Sequence, residues 1–440
     1  MEEEETRVEE AEERKEIWSW GAGTDGQLAT GSLQDELTPR FIRSLSAYGP
    51  IVSLSCGGAH VIALTPGGRV LTWGRGTSGQ LGHGETVSTS QANIVKQLEG
   101  FVITHISAGW NHSGFVSGVF MCSYLQLVYG QDEDEETGAI FTCGDGSFGQ
   151  LGHADSSSQL YPRQVSYFAS KPVEQVACGM RHTLVLLAGV LKRSCDYRDL
   201  SGILCGAGNV EKPVYGFGSG KRGQLGISTD KVKLTSLPQI TMGLENIKIT
   251  CIHANGDHSS ALSADGSLYT WGRGFCGALD TYIPCLSDVD FPISKVALGW
   301  NHALLLSRQG YVFMLGGDRH GVLSDPPKTP STADVRVTRA GKSEEIITRI
   351  IPGLANVKVV QIAAGAEHSA FITGKEMLKF FHNGSIMTWG WGEHGQLGLG
   401  DTNDQTAPQV VGLDRKSACG DAIPRVYCGS GFSFVLMTKI

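Results

Sequence analysis

No stretch of this chain is apolar over the length needed to cross a bilayer, and it contains no Cys-x-x-Cys pair and no basic tail. Each absence removes a class of function. Only 18% of the residues are charged and the net charge is −8, whereas gripping a phosphate backbone takes concentrated Lys and Arg. The eleven cysteines are scattered and odd in number, so reduced, packed thiols are expected rather than a disulfide framework or a zinc ribbon. No Ser/His/Asp or paired-carboxylate set with local spacing occurs. The chain is therefore read as a non-enzyme with no cofactor and no metal. Residues 1–15 are dense in Glu, unlike a secretory signal or a basic transit peptide, which leaves the cytoplasm, the nucleus or both as the expected location.

Glycine and repetition are what the chain has in abundance. Seven times a short strand ending in Gly runs into a turn of one design, most clearly from Trp73-Gly74 to Gly79-Gln80-Leu81 and from Trp389-Gly390 to Gly395-Gln396-Leu397. The unit is about fifty residues long, and longer intervals hold insertions. A second column runs out of phase with the first, a small-small-Gly-x-x-His pattern ending at His60, His112, His182, His258, His302 and His368, with Phe432 in the seventh copy. The three cysteines Cys56, Cys178 and Cys428 fall at a small position of this pattern.

One unit of this size cannot bury its own hydrophobic face, so its neighbours must stack on it. Alternating apolar residues and Gly-rich turns predict four short strands per unit. The chain opens with a Trp-Gly strand lacking its preceding half and closes with residues 424–437 lacking their following half. Pairing the two halves in one composite blade closes the ring and removes exposed edges. The expected fold is all-β, a seven-bladed β-propeller over residues 17–440, preceded by an acidic tail at 1–16 that is expected to lack fixed structure.

Two local patterns point elsewhere until the repeat is considered. Gly74-x-Gly76-x-x-Gly79 reads as a dinucleotide fingerprint, which works only where a strand leads into a helix N-terminus. Here each copy leads to another strand, so it is a blade turn. Six histidines in register suggest a metal, yet one per blade cannot converge on one ion, and hydrogen-bonded structural histidines are expected instead.

The Trp-Gly-x-Gly-x-x-Gly-Gln-Leu-Gly and Ala-Ala-Gly-x-x-His-Ser patterns resemble the regulator of chromosome condensation repeat over about residues 17–440. The resemblance implies a seven-bladed propeller. It implies less about function, because members include the exchange factor for the GTPase Ran, a plant ultraviolet-B photoreceptor and binding modules of larger proteins. The chromatin-binding member carries a basic N-terminal tail. This chain is acidic there, so chromatin or nucleic-acid binding by that means is not expected. The photoreceptor takes its chromophore from Gly-Trp-Arg-His-Thr segments in three consecutive blades. Here only Trp110 and Trp300 occupy the aromatic position, with two other blades between them, and the flanking Arg appears once, as Arg181.

Departures from a standard unit mark where a specific role would lie. From the His column to the Trp-Gly strand short units take 13 residues, but the spans 112–143, 182–217 and 368–389 take 31, 35 and 21. Insertions at 117–138, 189–213 and 374–383 are expected to share one face, and a further one at 324–343, rich in Pro, Thr and Lys, to leave the opposite face as a mobile loop. The first carries Asp132, Glu133, Asp134, Glu135 and Glu136, and its neighbour carries Lys192, Arg193 and Arg198. These eight residues are the candidate partner contacts. The function read from them is a non-enzymatic protein-interaction scaffold. The alternatives are guanine-nucleotide exchange on a Ran-like small GTPase, with 117–138 and 189–213 as wedges, and a tryptophan-based ultraviolet-B response.

Overall fold

The computed structural model describes residues 16–118, 138–189, 212–275, 279–287, 289–316, 334–339, 342–350, 357–374, 384–413 and 423–438. The described strands form seven antiparallel sheets, six of four strands and one of five. Six are continuous in sequence, beginning at Ser53, Ile103, Val173, Ile249, Ile293 and Val359, and are called blades one to six. The seventh is composite, with the strand order Glu36–Phe41, Glu16–Gly21, Phe432–Thr438, Ile423–Cys428. Its seam runs in unbroken register from Glu16 opposite Met437 to Gly21 opposite Phe432. The all-β ring closed through its two ends is the fold that the phase of the repeat predicts.

Burial explains why each strand has its composition. The second strand of a blade lies between neighbouring sheets on both faces, so His182–Leu187 and His302–Ser307 are buried at every position. Outer strands such as Gln159–Gln164 bury one residue in six and expose a mixture of polar and apolar side chains. The apolar clusters form between sheets: Val61, Leu71 and Trp73 of blade one pack with Leu28, Phe432, Phe434 and Leu436 of the composite blade. Burial of a side chain of this size stabilises by about 1.5–3 kcal/mol. Blade contacts, not single blades, therefore hold the fold.

Two turn glycines are obligatory for different reasons. At Gly74 φ is +100°, and a Cβ there would lie 2.5 Å from the Ala59 carbonyl oxygen. At Gly79 φ is +82°, and a Cβ would meet Leu160 of the next blade at 2.6 Å. The second marks the place where one blade's turn seats on its neighbour. Gly390 and Gly395 repeat the pair, with φ of 101° and 74°.

Blade five departs from the expected loop at 324–343. Asp334–Arg339 and Lys342–Ile350 pair as antiparallel strands, with Val337 opposite Ile346, and the second joins the blade through Phe313 opposite Ile350. The physical reason lies in residues 335–338 and 346–348, where Val, Ile and Thr predominate. Composition read as Pro/Thr/Lys-rich hid that β-branched run.

Candidate functional site

The six histidines are structural, and their bonding follows a rule of the sequence. Five of them reach the hydroxyl one residue beyond the equivalent position of the next blade: His60 to Ser113, His112 to Thr183, His182 to Ser259, His302 to Ser369 and His368 to Ser433, at 2.9–3.0 Å. Ser113, Thr183, Ser259 and Ser433 in turn donate to the carbonyls of Gln80, Gln150, Gln224 and Gln396. A carbonyl only accepts, so each of these hydroxyls accepts from Nε2–H, which fixes the tautomer. Burial holds His60, His182 and His302 at pKa values of about 3, and His112 and His368 at about 4. They are neutral braces.

Two breaks in the rule compensate for themselves. Phe432 stands where a seventh His would be, and the residue it faces is Val61 rather than a hydroxyl, both in one apolar cluster. Ala303 lacks the hydroxyl that His258 would need. His258 instead places Nδ1 2.7 Å from the Arg273 carbonyl and Nε2 2.6 Å from that of Trp300, with its ring stacked on Phe275. A neutral imidazole donates to only one of them. Burial nonetheless lowers its pKa, against the raising effect of the two carbonyls.

The turn glutamines close the same network. Gln80 Oε1 accepts from the Ser78 amide and so ties its own turn, and equivalent bonds are made by Gln27, Gln150, Gln224 and Gln396. Their carbonyls also receive the indole N–H of the next blade's tryptophan: Trp73 to Gln27, Trp271 to Gln224 and Trp20 to Gln396, at 2.8–2.9 Å. Gly-Gln-Leu turns, Trp-Gly strands and His-Ser pairs are thus one device repeated between blades.

The two ends of the ring axis differ in chemistry. On the face of the Gly-x-x-His turns, Trp110 of blade two and Trp300 of blade five meet with ring centroids 4.9 Å apart. Blades three positions apart in a ring of seven are nearly opposite, so side chains aimed at the axis touch although two blades separate them in sequence. They border an axial cavity of about 180 Å³ that Ser55, Ser107, Asn255, Cys56, Cys178 and Cys428 also line. Burial pushes Cys178 and Cys428 up to about 12 and Cys56 well above the ordinary thiol value. These are protonated, free thiols. Across blades on this face Arg75 pairs with Asp25 and Arg222 with Asp280, and His394 Nδ1 lies 2.9 Å from a carboxylate oxygen of Asp35.

On the opposite face the hairpins between second and third strands emerge. The amides of Gly118, Ala188 and Gly374 bond to the carbonyls of Val102, Pro172 and Lys358, each just ahead of its own blade's inner strand. All three enlarged hairpins are therefore anchored on one face. Here the inner strands carry long polar side chains at one repeat position that reach the next blade's backbone: Gln175 to Thr250, Lys295 to Val360, Gln361 to Val426 and Arg425 to Val52. Between blades four and seven they border a cavity of about 530 Å³ lined by Cys251, His253, Lys295, Gln361, Arg425 and Tyr427. Lys295 is shifted down, first by partial burial and then by the neighbouring Arg425.

Asp132 to Glu136 and Lys192, Arg193 and Arg198 lie outside the described residues, as do residues 1–15. What sequence reading missed is the contact of Trp110 with Trp300 and the cationic rim at Lys295 and Arg425. The second had a signal, a shared repeat position occupied by long polar residues. Among the described residues no group of three or more His, Cys, Asp or Glu is placed to hold a metal, and no helix is long and apolar enough to cross a membrane.

Comparison with known proteins agrees with this geometry. The chain is 27% identical over 369 residues to the Ultraviolet-B receptor UVR8 of Arabidopsis thaliana, covering 82% of this chain and 70% of that one. It is 26% identical over 435 residues to the secretion-regulating guanine nucleotide exchange factor of Mus musculus, covering 96% and 83%. The crystal structure of Prp20p from Saccharomyces cerevisiae superimposes with a TM-score of 0.72 at 23% identity, covering 97% of this chain and 92% of that one. The regulator of chromosome condensation (RCC1) repeat matches residues 16–64 and 67–116, and the RCC1-like domain matches residues 135–435. By repeat, register and ring closure, the chain belongs to the RCC1-like domain family.

Proposed function

We propose that this propeller is a non-enzymatic binding module that presents its enlarged hairpins to a protein partner in the cytoplasm or nucleus. The observation that carries the reading is the common face of the three anchors at Gly118, Ala188 and Gly374. The repeat histidines are neutral braces and the axial thiols are protonated, which leaves the loops as the variable surface. The acidic run 132–136 and the cations Lys192, Arg193 and Arg198 are the proposed contacts.

A second reading is nucleotide exchange on a Ran-type small GTPase. It is favoured by the relatives named as exchange factors, which match 96% of this chain. Exchange requires no nucleophile, only tighter binding of the nucleotide-free GTPase. Release of a fluorescent guanine nucleotide from such a GTPase separates the readings. Acceleration that disappears when 117–138 or 189–213 is shortened establishes exchange. Binding without acceleration, lost with the same deletions, supports the scaffold. A GTPase that neither binds nor loses nucleotide removes the second reading.

A further inference from the structure

The axial mouth on the hairpin face has an open cationic rim. Lys295 and Arg425 are exposed there beside the half-buried His253. Among the described residues the cavity lining contains no carboxylate, and Glu174, close enough to act on Cys251 and His105, is already held by Lys212. Gln361 and Tyr427 add polar groups to a lining that also includes Val360, Ile362 and Ile423. This lining suits a segment that is mostly acidic with a few apolar side chains.

Such a segment starts on the same face. Residues 1–15 hold eight glutamates against three basic residues, with Val8 and Ala11 among them. They lead into Glu16, which stands opposite Met437, and Met437 stands opposite Pro424, a lining residue of the mouth. Two strand spacings, about 10 Å, separate the root of the segment from the rim. Fifteen residues extend up to about 50 Å, so reach is ample.

We propose that residues 1–15 dock in the axial mouth of the hairpin face, their glutamates meeting Lys295 and Arg425. Docking there masks the face on which the three enlarged hairpins are anchored, and a partner using that face competes with the chain's own tail. The inference stands whichever partner that face serves.

Carbodiimide cross-linking of the full chain, followed by mass spectrometry, tests it. The expected product joins a glutamate of residues 1–15 to Lys295 within one chain. A labelled peptide of residues 1–15 is the second probe. It should bind the full chain at least tenfold more tightly when all eight tail glutamates are changed to glutamine, a change outside the propeller that leaves folding intact. Lys295→Glu in that background should undo the gain. Cross-links only to other lysines, cross-links between isotopically distinct chains, or equal peptide affinity for both tails would overturn the proposal.

Discussion

Trp110 and Trp300 stand in nearly opposite blades, yet their ring planes meet at 45° with centroids 4.9 Å apart. A tilted pair at this distance contributes about 0.5–1.5 kcal/mol beyond the area it buries. It also couples two chromophores. Trp110→Phe and Trp300→Phe should each remove the same near-ultraviolet circular dichroism couplet while leaving the far-ultraviolet spectrum unchanged. Different difference spectra for the two variants would show that the rings do not interact in solution.

The His-Ser braces invite a double-mutant cycle. Ser113→Val strands the His60 Nε2–H in the interior and should cost about 1–3 kcal/mol. Adding His60→Phe recreates the pairing that Phe432 and Val61 already make elsewhere in the ring. The double variant should be more stable in denaturant titration than the sum of the two single losses, with a coupling of about 1 kcal/mol or more. Additive losses would mean that the hydrogen bond is not what links the two positions.

The same histidines set a pH limit. Their folded-state pKa values of about 3 to 4 lie below the ordinary value of 6.5, because burial disfavours the charged ring. The unfolded chain therefore binds protons that the folded ring refuses. Stability is complete above about pH 6.5 and falls as pH drops towards the folded values, each histidine costing on the order of 1–2 kcal/mol at pH 5. Melting temperature should decline steeply from pH 7 to pH 5. A flat profile across that interval would contradict the neutral, buried assignment.

Gly79→Ala should destabilise by about 2 kcal/mol or more, since it combines a positive φ with a Cβ 2.6 Å from Leu160. Gly67→Ala, at a turn where an added Cβ meets nothing within 4 Å, is the control and should be close to neutral. Thermal melts of the two variants give the comparison directly.

Ring closure was legible because each end of the sequence holds only half a unit, and only pairing Glu16–Gly21 with Phe432–Thr438 completes both. The histidine roles were legible for the same reason, one per blade in register. The contact of Trp110 with Trp300 was not legible because sequence order measures distance around the rim, and side chains aimed at the axis escape that measure. The strand pair from residue 334 was not legible because Pro, Thr and Lys dominate 324–333, whereas the β-branched residues cluster at 335–338 and 346–348. Lys295 and Arg425 lie on inner strands whose repeat pattern is defined by its small residues, so a long polar position stands out only when the blades are aligned.

The composite blade has a consequence for how the protein is made. Glu16–Gly21 leaves the ribosome long before its partner Phe432–Thr438. At about 5–20 residues per second the first strand waits on the order of tens of seconds with an unpaired edge. During synthesis the nascent chain is an open fan, exposed to strand pairing with the wrong neighbour. The clasp can form only once Phe432–Thr438 has emerged, so termination before that strand should leave the ring open and Glu16–Gly21 unpaired.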